Sequence, residues 1–267
     1  MSPKRKNIVD SFCRHLVGLS VTYKHKADDA GDRARFGMCS GTLIMIEGGV
    51  FLLTAGHVLK QLDELRESGG AEIIGASLAD TFASERISDI PIPFDLKSAR
   101  LFYIDDEDDG LDFGVIALEP HHVRMLAKNG MVALTEENWV HQHTVKFEAY
   151  ALLGLPEELA TERVSSSGEG AAAAALLTVK RLESAPPGRK PTRYPQFVGQ
   201  LHPEMGLKSV KGMSGGPILG FRREPEPRYW IVALQSSWDE EARIVYGCDL
   251  PILASLMSEW ARQVPAA

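Results

Sequence analysis

The sequence predicts an all-β protein in which short antiparallel strands form barrels or sandwiches. Short runs of β-branched and apolar residues recur along the chain, and Gly, Pro and acidic turn signals separate them. Helical spacing of apolar residues is limited to three short segments, and no internal repeat is visible. These features favour barrels or sandwiches over a parallel sheet.

The elements of the first half follow one another closely. Residues 58–67 and 121–129 have helical spacing, and residues 82–98 form a long excursion. The polar run 24–35 predicts a hairpin loop, and acidic residues 105–109 predict a turn that ends at Gly110. We expect strands at residues 16–23, 36–46, 50–54, 71–77, 100–104 and 111–118.

The second half carries the same kind of pattern. Residues 158–175 are biased towards Ser, Gly and Ala and predict a flexible loop, and residues 185–195 are rich in Pro. Apolar residues in 252–263 predict an amphipathic closing helix. We expect strands at residues 147–155, 176–182 and 196–201, directly after Ser214, and at 230–236 and 243–248.

Ser214 is the first candidate for chemistry, because it lies in a run of small residues between a loop and an apolar strand. Glycines at 212, 215 and 216 allow backbone N–H groups to point into a shared hole beside its hydroxyl. The same run fits the Gly-x-Ser-x-Gly elbow of α/β-hydrolases. That alternative fails, because no histidine follows Ser214.

A serine hydroxyl needs a base, and the base needs an acceptor that fixes its tautomer. His57 is the histidine that stands directly at the end of a strongly apolar strand, and Asp112 is the carboxylate embedded in an apolar run. A buried carboxylate is costly without a partner, so a nearby histidine explains its presence. Structural alternatives stay open for each: a Gly-rich turn, a helix-start histidine, or an acid paired with Lys or Arg.

Three segments in this order resemble the trypsin/chymotrypsin-like serine peptidases, and most closely the bacterial members without disulfides. The segments are 41–44 with 53–57, 111–118 and 212–217. The resemblance implies two six-stranded antiparallel β-barrels, at residues 1–140 and 141–267, with a C-terminal helix. It implies that His57 is the general base, Asp112 the orienting acid and Ser214 the nucleophile. The backbone N–H groups of Gly212 and Ser214 would form the oxyanion hole.

The sequence departs from this family at several positions. Val58 replaces the cysteine that would pair with Cys39, so Cys39 is expected to be a free, buried thiol. Met213 replaces the aspartate that captures a new N-terminus in zymogen members, so activation by N-terminal cleavage is not expected. The resemblance assigns the primary pocket to Lys208, Ser209, Gln235 and Ser236. Lys208 stands where trypsin-type members carry the acid at the base of the pocket, so a preference for Lys or Arg is not expected. If Lys208 points inward, an acidic or polar substrate side chain would be preferred; the alternative is that it points to solvent.

The acidic and histidine-rich segments suggest metal binding as another function. The acidic turn lacks the EF-hand pattern, and the pairs His121–His122 and His141–His143 lack an evident third ligand, so we expect no metal and no cofactor. The alternatives to an always-active peptidase are a partner-gated enzyme and a non-catalytic peptide-binding module on the same fold. Residues 1–12 and 158–175 are candidates for contact with a regulatory protein.

Composition limits the partners and the compartment. The 29 Lys and Arg against 36 Asp and Glu give a net charge of −7, which argues against nucleic acid. Three scattered cysteines indicate a reducing compartment, and neither a secretory signal nor a membrane span is recognisable. Composition thus leads us to expect a cytoplasmic protein, and the resemblance implies a bacterial serine endopeptidase that acts on proteins or peptides.

Overall fold

The computed structural model describes residues 8–25, 34–67, 70–82, 86–139, 146–160, 172–202, 206–223 and 225–261. Its elements are mostly strands, as predicted. The first half contains seven: β1 (Leu16–His25), β2 (Arg35–Ile46), β3 (Gly49–Thr54), β4 (Ala71–Ala79), β5 (Ile92–Pro93), β6 (Leu101–Asp106) and β7 (Leu111–Ala117). The second half contains six: β8 (Ala149–Gly154), β9 (Ala175–Arg181), β10 (Gln196–Leu201), β11 (Pro217–Arg222), β12 (Arg228–Asp239) and β13 (Ile244–Asp249).

Four α-helices complete the described elements: α1 (Ile8–Cys13), α2 (Gly56–Glu67), α3 (Pro120–Lys128) and α4 (Leu250–Ala261). Single 3₁₀ turns lie at Glu136–Asn138 and Glu157–Leu159. Neither α1 nor the two-residue strand β5 was predicted from the sequence. Within the described residues, no helix has the length and apolar character that crossing a membrane requires.

The strands of the second half close into a six-stranded antiparallel barrel in the order β10-β13-β12-β11-β8-β9. This confirms the all-β class and the predicted barrel. The first half differs in detail: it is a seven-stranded sheet in the order β5-β4-β1-β2-β3-β7-β6. Helix α2 contacts both β4 and β6, so the sheet curls around and the helix lies between its two margins.

One apolar core joins the two halves. Leu53 and Phe113 of the first sheet belong to the same buried cluster as Leu153 and Leu234 of the barrel. Phe12 of α1 packs edge-on against aromatic rings of β11 and β12, which fixes the start of the chain on the second half. The predicted boundary between residues 140 and 141 lies in the segment 140–145, which is outside the described residues.

The three cysteines are free, as expected from Val58. Cys13 and Cys248 are buried, whereas Cys39 is only half-buried. Burial raises the pKa of the Cys39 and Cys248 thiols to about 12 and that of Cys13 to about 11. The thiols are therefore protonated at neutral pH.

Candidate active site

His57 is the second residue of α2 and follows the buried strand β3. The turn between them is tight: a Cβ on Gly56 would lie 1.9 Å from the carbonyl oxygen of Ile104 in β6. Only glycine allows this approach, so the turn places the imidazole beside the β6–β7 hairpin. The imidazole is 28% exposed and reaches solvent on one side.

Asp112, in β7, holds His57 with both carboxylate oxygens. Oδ1 accepts the backbone N–H of His57 and Oδ2 lies opposite Nδ1, each at 2.8 Å. Burial alone would lower the pKa of His57, but the hydrogen bond and the charge of Asp112 outweigh it and raise that pKa above its ordinary value. The ring is therefore oriented with Nε2 available as the basic nitrogen.

Ser214 lies in residues 210–216, which precede β11. We call this segment the nucleophile loop after the role predicted for Ser214. Two backbone hydrogen bonds fix this loop on β12: Gly215 donates to the carbonyl of Gln235, and Gln235 donates to the carbonyl of Gly216, both at 2.9 Å. A Cβ on Gly215 would lie 2.1 Å from Oγ1 of Thr54 and 2.7 Å from the nitrogen of Ala55. The residue after Ser214 thus packs against the chain just before His57.

Three peptide N–H groups in the nucleophile loop have no acceptor among the described residues: those of Val210, Gly212 and Ser214. The carbonyl of Lys211 accepts the N–H of Glu157 at 2.8 Å. Because the carbonyl and N–H of a trans peptide point in opposite directions, the Gly212 N–H points away from Glu157. Gly212 adopts φ +85°, which favours glycine. The N–H groups of Gly212 and Ser214, one on either side of Met213, are therefore free to bind an anion.

Of the three predicted catalytic residues, His57 and Asp112 are hydrogen-bonded to each other, whereas Ser214 is not hydrogen-bonded to His57. Among the described residues, no hydrogen bond joins the Ser214 hydroxyl to the His57 imidazole. Hydrogen bonds between a nucleophile and its base are often long before substrate binds.

The predicted pocket residues lie in different places. Ser236 lines a cleft of about 620 Å³ together with His57 and Asp112. The Gln235 side chain is buried, and its backbone holds the nucleophile loop. Lys208 is exposed, and the backbone N–H groups of Lys208 and Ser209 both donate to the Glu158 carboxylate.

The acidic turn forms another wall of this cleft, and its carboxylates have cationic partners. Asp105 pairs with Lys60 at 2.9 Å, Asp108 pairs with Lys190, and Asp109 lies 3.5 Å from Arg193. Three carboxylates of the acidic turn are thus paired with Lys or Arg.

No group of three or more His, Cys, Asp or Glu side chains within the described ranges could hold a metal ion. His121 and His122 stack with ring centroids 3.8 Å apart, and His122 is buried. His141 and His143 lie outside the described residues.

Three residues that hold the nucleophile loop or the two residues directly before it were not predicted from the sequence: Ser40, Glu157 and Glu158. Ser40 accepts the Leu155 N–H at 2.8 Å and donates to the Gly212 carbonyl at 3.0 Å. The Glu157 carboxylate lies 3.0 Å from Nζ of Lys211. The only sequence signal at Ser40 is a small polar residue in an apolar strand, which does not reveal its partners.

Comparison with solved structures identifies the fold. The thermostable serine protease AL20 from an extremophilic microorganism matches with TM-score 0.51 and 13% identity, over 93% of this chain and 97% of that one. Protease Anisep from Arthrobacter nicotinovorans matches with TM-score 0.52 and 14% identity, over 93% and 96%. No family model and no curated protein sequence matches this chain. The fold is that of the chymotrypsin-like serine proteases, as the resemblance implied.

Proposed function

We propose that this chain is a serine endopeptidase that cleaves peptide bonds through an acyl-enzyme. The observation that carries the proposal is the two-point hydrogen bonding of His57 to Asp112, next to a loop in which the Gly212 and Ser214 N–H groups are unbonded. A fixed base and a preorganised anion site are the two requirements of acyl transfer by serine. The chymotrypsin-like fold is compatible with this chemistry but does not by itself establish it.

In the proposed reaction the Ser214 oxygen attacks the scissile carbonyl carbon while Nε2 of His57 takes the hydroxyl proton. The Gly212 and Ser214 N–H groups stabilise the negative oxygen of the tetrahedral intermediate. The C–N bond then breaks, and His57 returns the proton to the leaving amine. Water attacks the acyl-enzyme with His57 again as base, which releases the acid and restores Ser214.

Ser214→Ala tests the assignment with a fluorophosphonate probe, which phosphonylates an activated serine. We expect the wild type to be labelled and the variant to lose both labelling and peptide hydrolysis, while its unfolding temperature stays within a few degrees. Ser98→Ala, which removes an exposed hydroxyl before β6, should label like the wild type. Normal labelling of Ser214→Ala would refute the nucleophile.

A partner-gated enzyme is the second candidate, and the contacts of Glu157 and Glu158 favour it. Glu157 holds the nucleophile loop at Lys211, and Glu158 holds Lys208 and Ser209 directly before it. The biased segment 158–175 begins at Glu158. A protein bound to that segment would therefore act on the loop through a short connection. Labelling that appears only after addition of cell lysate would support gating, and absence of labelling in both samples would favour the non-catalytic binding module.

A further inference from the structure

Ser40 is the side chain through which the first sheet reaches the nucleophile loop. It lies in β2 and is 0% exposed. Its hydroxyl both accepts and donates a hydrogen bond across the interface between the two halves. Because the Leu155 N–H can only donate, the Ser40 hydroxyl oxygen accepts that hydrogen bond. The single hydroxyl proton of Ser40 is donated to the Gly212 carbonyl. One hydroxyl thus links β2, the end of β8 and the loop.

The bond to the Gly212 carbonyl fixes one of the two peptides that orient the proposed anion site. The peptide between Gly212 and Met213 is held at both ends, since its N–H donates to the Val210 carbonyl at 3.0 Å. The preceding peptide is held by Glu157 through the Lys211 carbonyl. The Gly212 N–H belongs to that preceding peptide, so the Ser40 bond acts on it indirectly: it holds the carbonyl at the other end of Gly212 and thereby the conformation of this residue. Glycine at φ +85° offers little steric resistance to a change of conformation once the bond is lost.

We propose that Ser40 is a positioning residue that keeps the Gly212 N–H pointed into the anion site. This inference rests on the proposed function, because the anion is the oxygen of the tetrahedral intermediate. Ser40 touches neither the substrate nor the reacting atoms; it acts through the Gly212 carbonyl. Its removal leaves a buried N–H and a buried carbonyl without this partner, and the loop regains the freedom to turn.

Thr42 provides a matched control on the same strand. Its hydroxyl is also 0% exposed and donates to the His15 carbonyl at 2.8 Å, a contact that does not involve the nucleophile loop. Residues two apart in a strand face the same side of the sheet. Thr42→Val and Ser40→Ala therefore each delete one buried hydroxyl from the same face of β2.

The experiment measures steady-state kinetics and amide hydrogen exchange of residues 210–216 in the full chain. We expect Ser40→Ala to lower kcat at least about tenfold with little change in KM, since one oxyanion donor is worth about 10²–10³ in kcat. Its loop amides should exchange at least several-fold faster, whereas Thr42→Val should leave both kcat and loop exchange near the wild type. Ser40→Cys, which fills the same space with a weaker donor, should fall between them.

Two results would overturn the proposal: loop exchange in Ser40→Ala equal to that of Thr42→Val, or equal losses of kcat in the two variants. If Ser40→Ala does not fold, the same comparison is made with Ser40→Cys. A wild type that neither hydrolyses peptides nor takes the fluorophosphonate would reject the proposed function. Exchange would still report whether Ser40 holds the loop.

Discussion

Replacement of Asp112 by Asn tests the proposed chemistry most directly, because the structure shows what each carboxylate oxygen does. Oδ1 accepts the backbone N–H of His57, and Oδ2 accepts from Nδ1. An asparagine keeps one acceptor and replaces the other with an NH₂ donor. The backbone N–H can only donate, so the amide oxygen is expected to stay there and turn its NH₂ towards Nδ1.

That arrangement forces the wrong tautomer, with the proton on Nε2 and no lone pair to accept the Ser214 proton. The productive orientation requires the asparagine amide to flip, so that its NH₂ donor faces the backbone N–H donor of His57. Leaving these two donors without an acceptor costs about 1–3 kcal/mol. The lost attraction between imidazolium and carboxylate adds about 4 kcal/mol, for charges about 4 Å apart near a protein surface. Since each 1.36 kcal/mol is tenfold, the sum corresponds to a loss of about 10⁴ in kcat.

The assay is the rate of fluorophosphonate labelling and of peptide hydrolysis, alongside titration of the His57 imidazole by NMR. The pKa of His57 should fall in Asp112→Asn, because the negative charge that raises it is gone. Asp105→Asn is the matched control: it neutralises a carboxylate directly across the β6–β7 hairpin that contributes less to the His57 pKa. Its labelling rate should change less than about tenfold. An Asp112→Asn variant within tenfold of the wild type would refute the reasoning.

Two further predictions follow from the same geometry. The kcat/KM of the wild type should rise with pH on the acid side with an apparent pKa above 6.5, because only neutral His57 is a base and its pKa is raised; a rise centred below 6 would contradict this. Gly215→Ala should destabilise the fold by about 2 kcal/mol or more and abolish labelling, since its Cβ would lie 2.1 Å from Thr54. Gly188→Ala, with φ +95° and no neighbour within 4 Å, isolates the backbone strain and should retain labelling while thermal unfolding shows a smaller loss of stability.

The strands show which parts of the fold were predictable. β10 has the predicted bounds, and most other strands begin or end within a few residues of prediction, because runs of β-branched and apolar residues between turn signals mark a strand locally. Strand β5 was missed because it has only two residues, and α1 because six residues give no readable period. The sequence also did not predict that the first half forms a seven-stranded sheet instead of a closed six-stranded barrel. Closure depends on how the two ends of this sheet pack around α2.

His57, Asp112 and the glycines around Ser214 were found from the sequence because each stands in a distinctive local context: the end of a buried strand, an acid within an apolar run, a cluster of small residues. The chemistry proposed for them requires those contexts, so the residues are recognisable without coordinates. Ser40 was not visible, because its partners are 115 and 172 positions away and a serine in a strand has many possible roles. Only the tertiary structure decides which distant backbone groups a buried hydroxyl meets, and therefore how the loop that carries Ser214 is held.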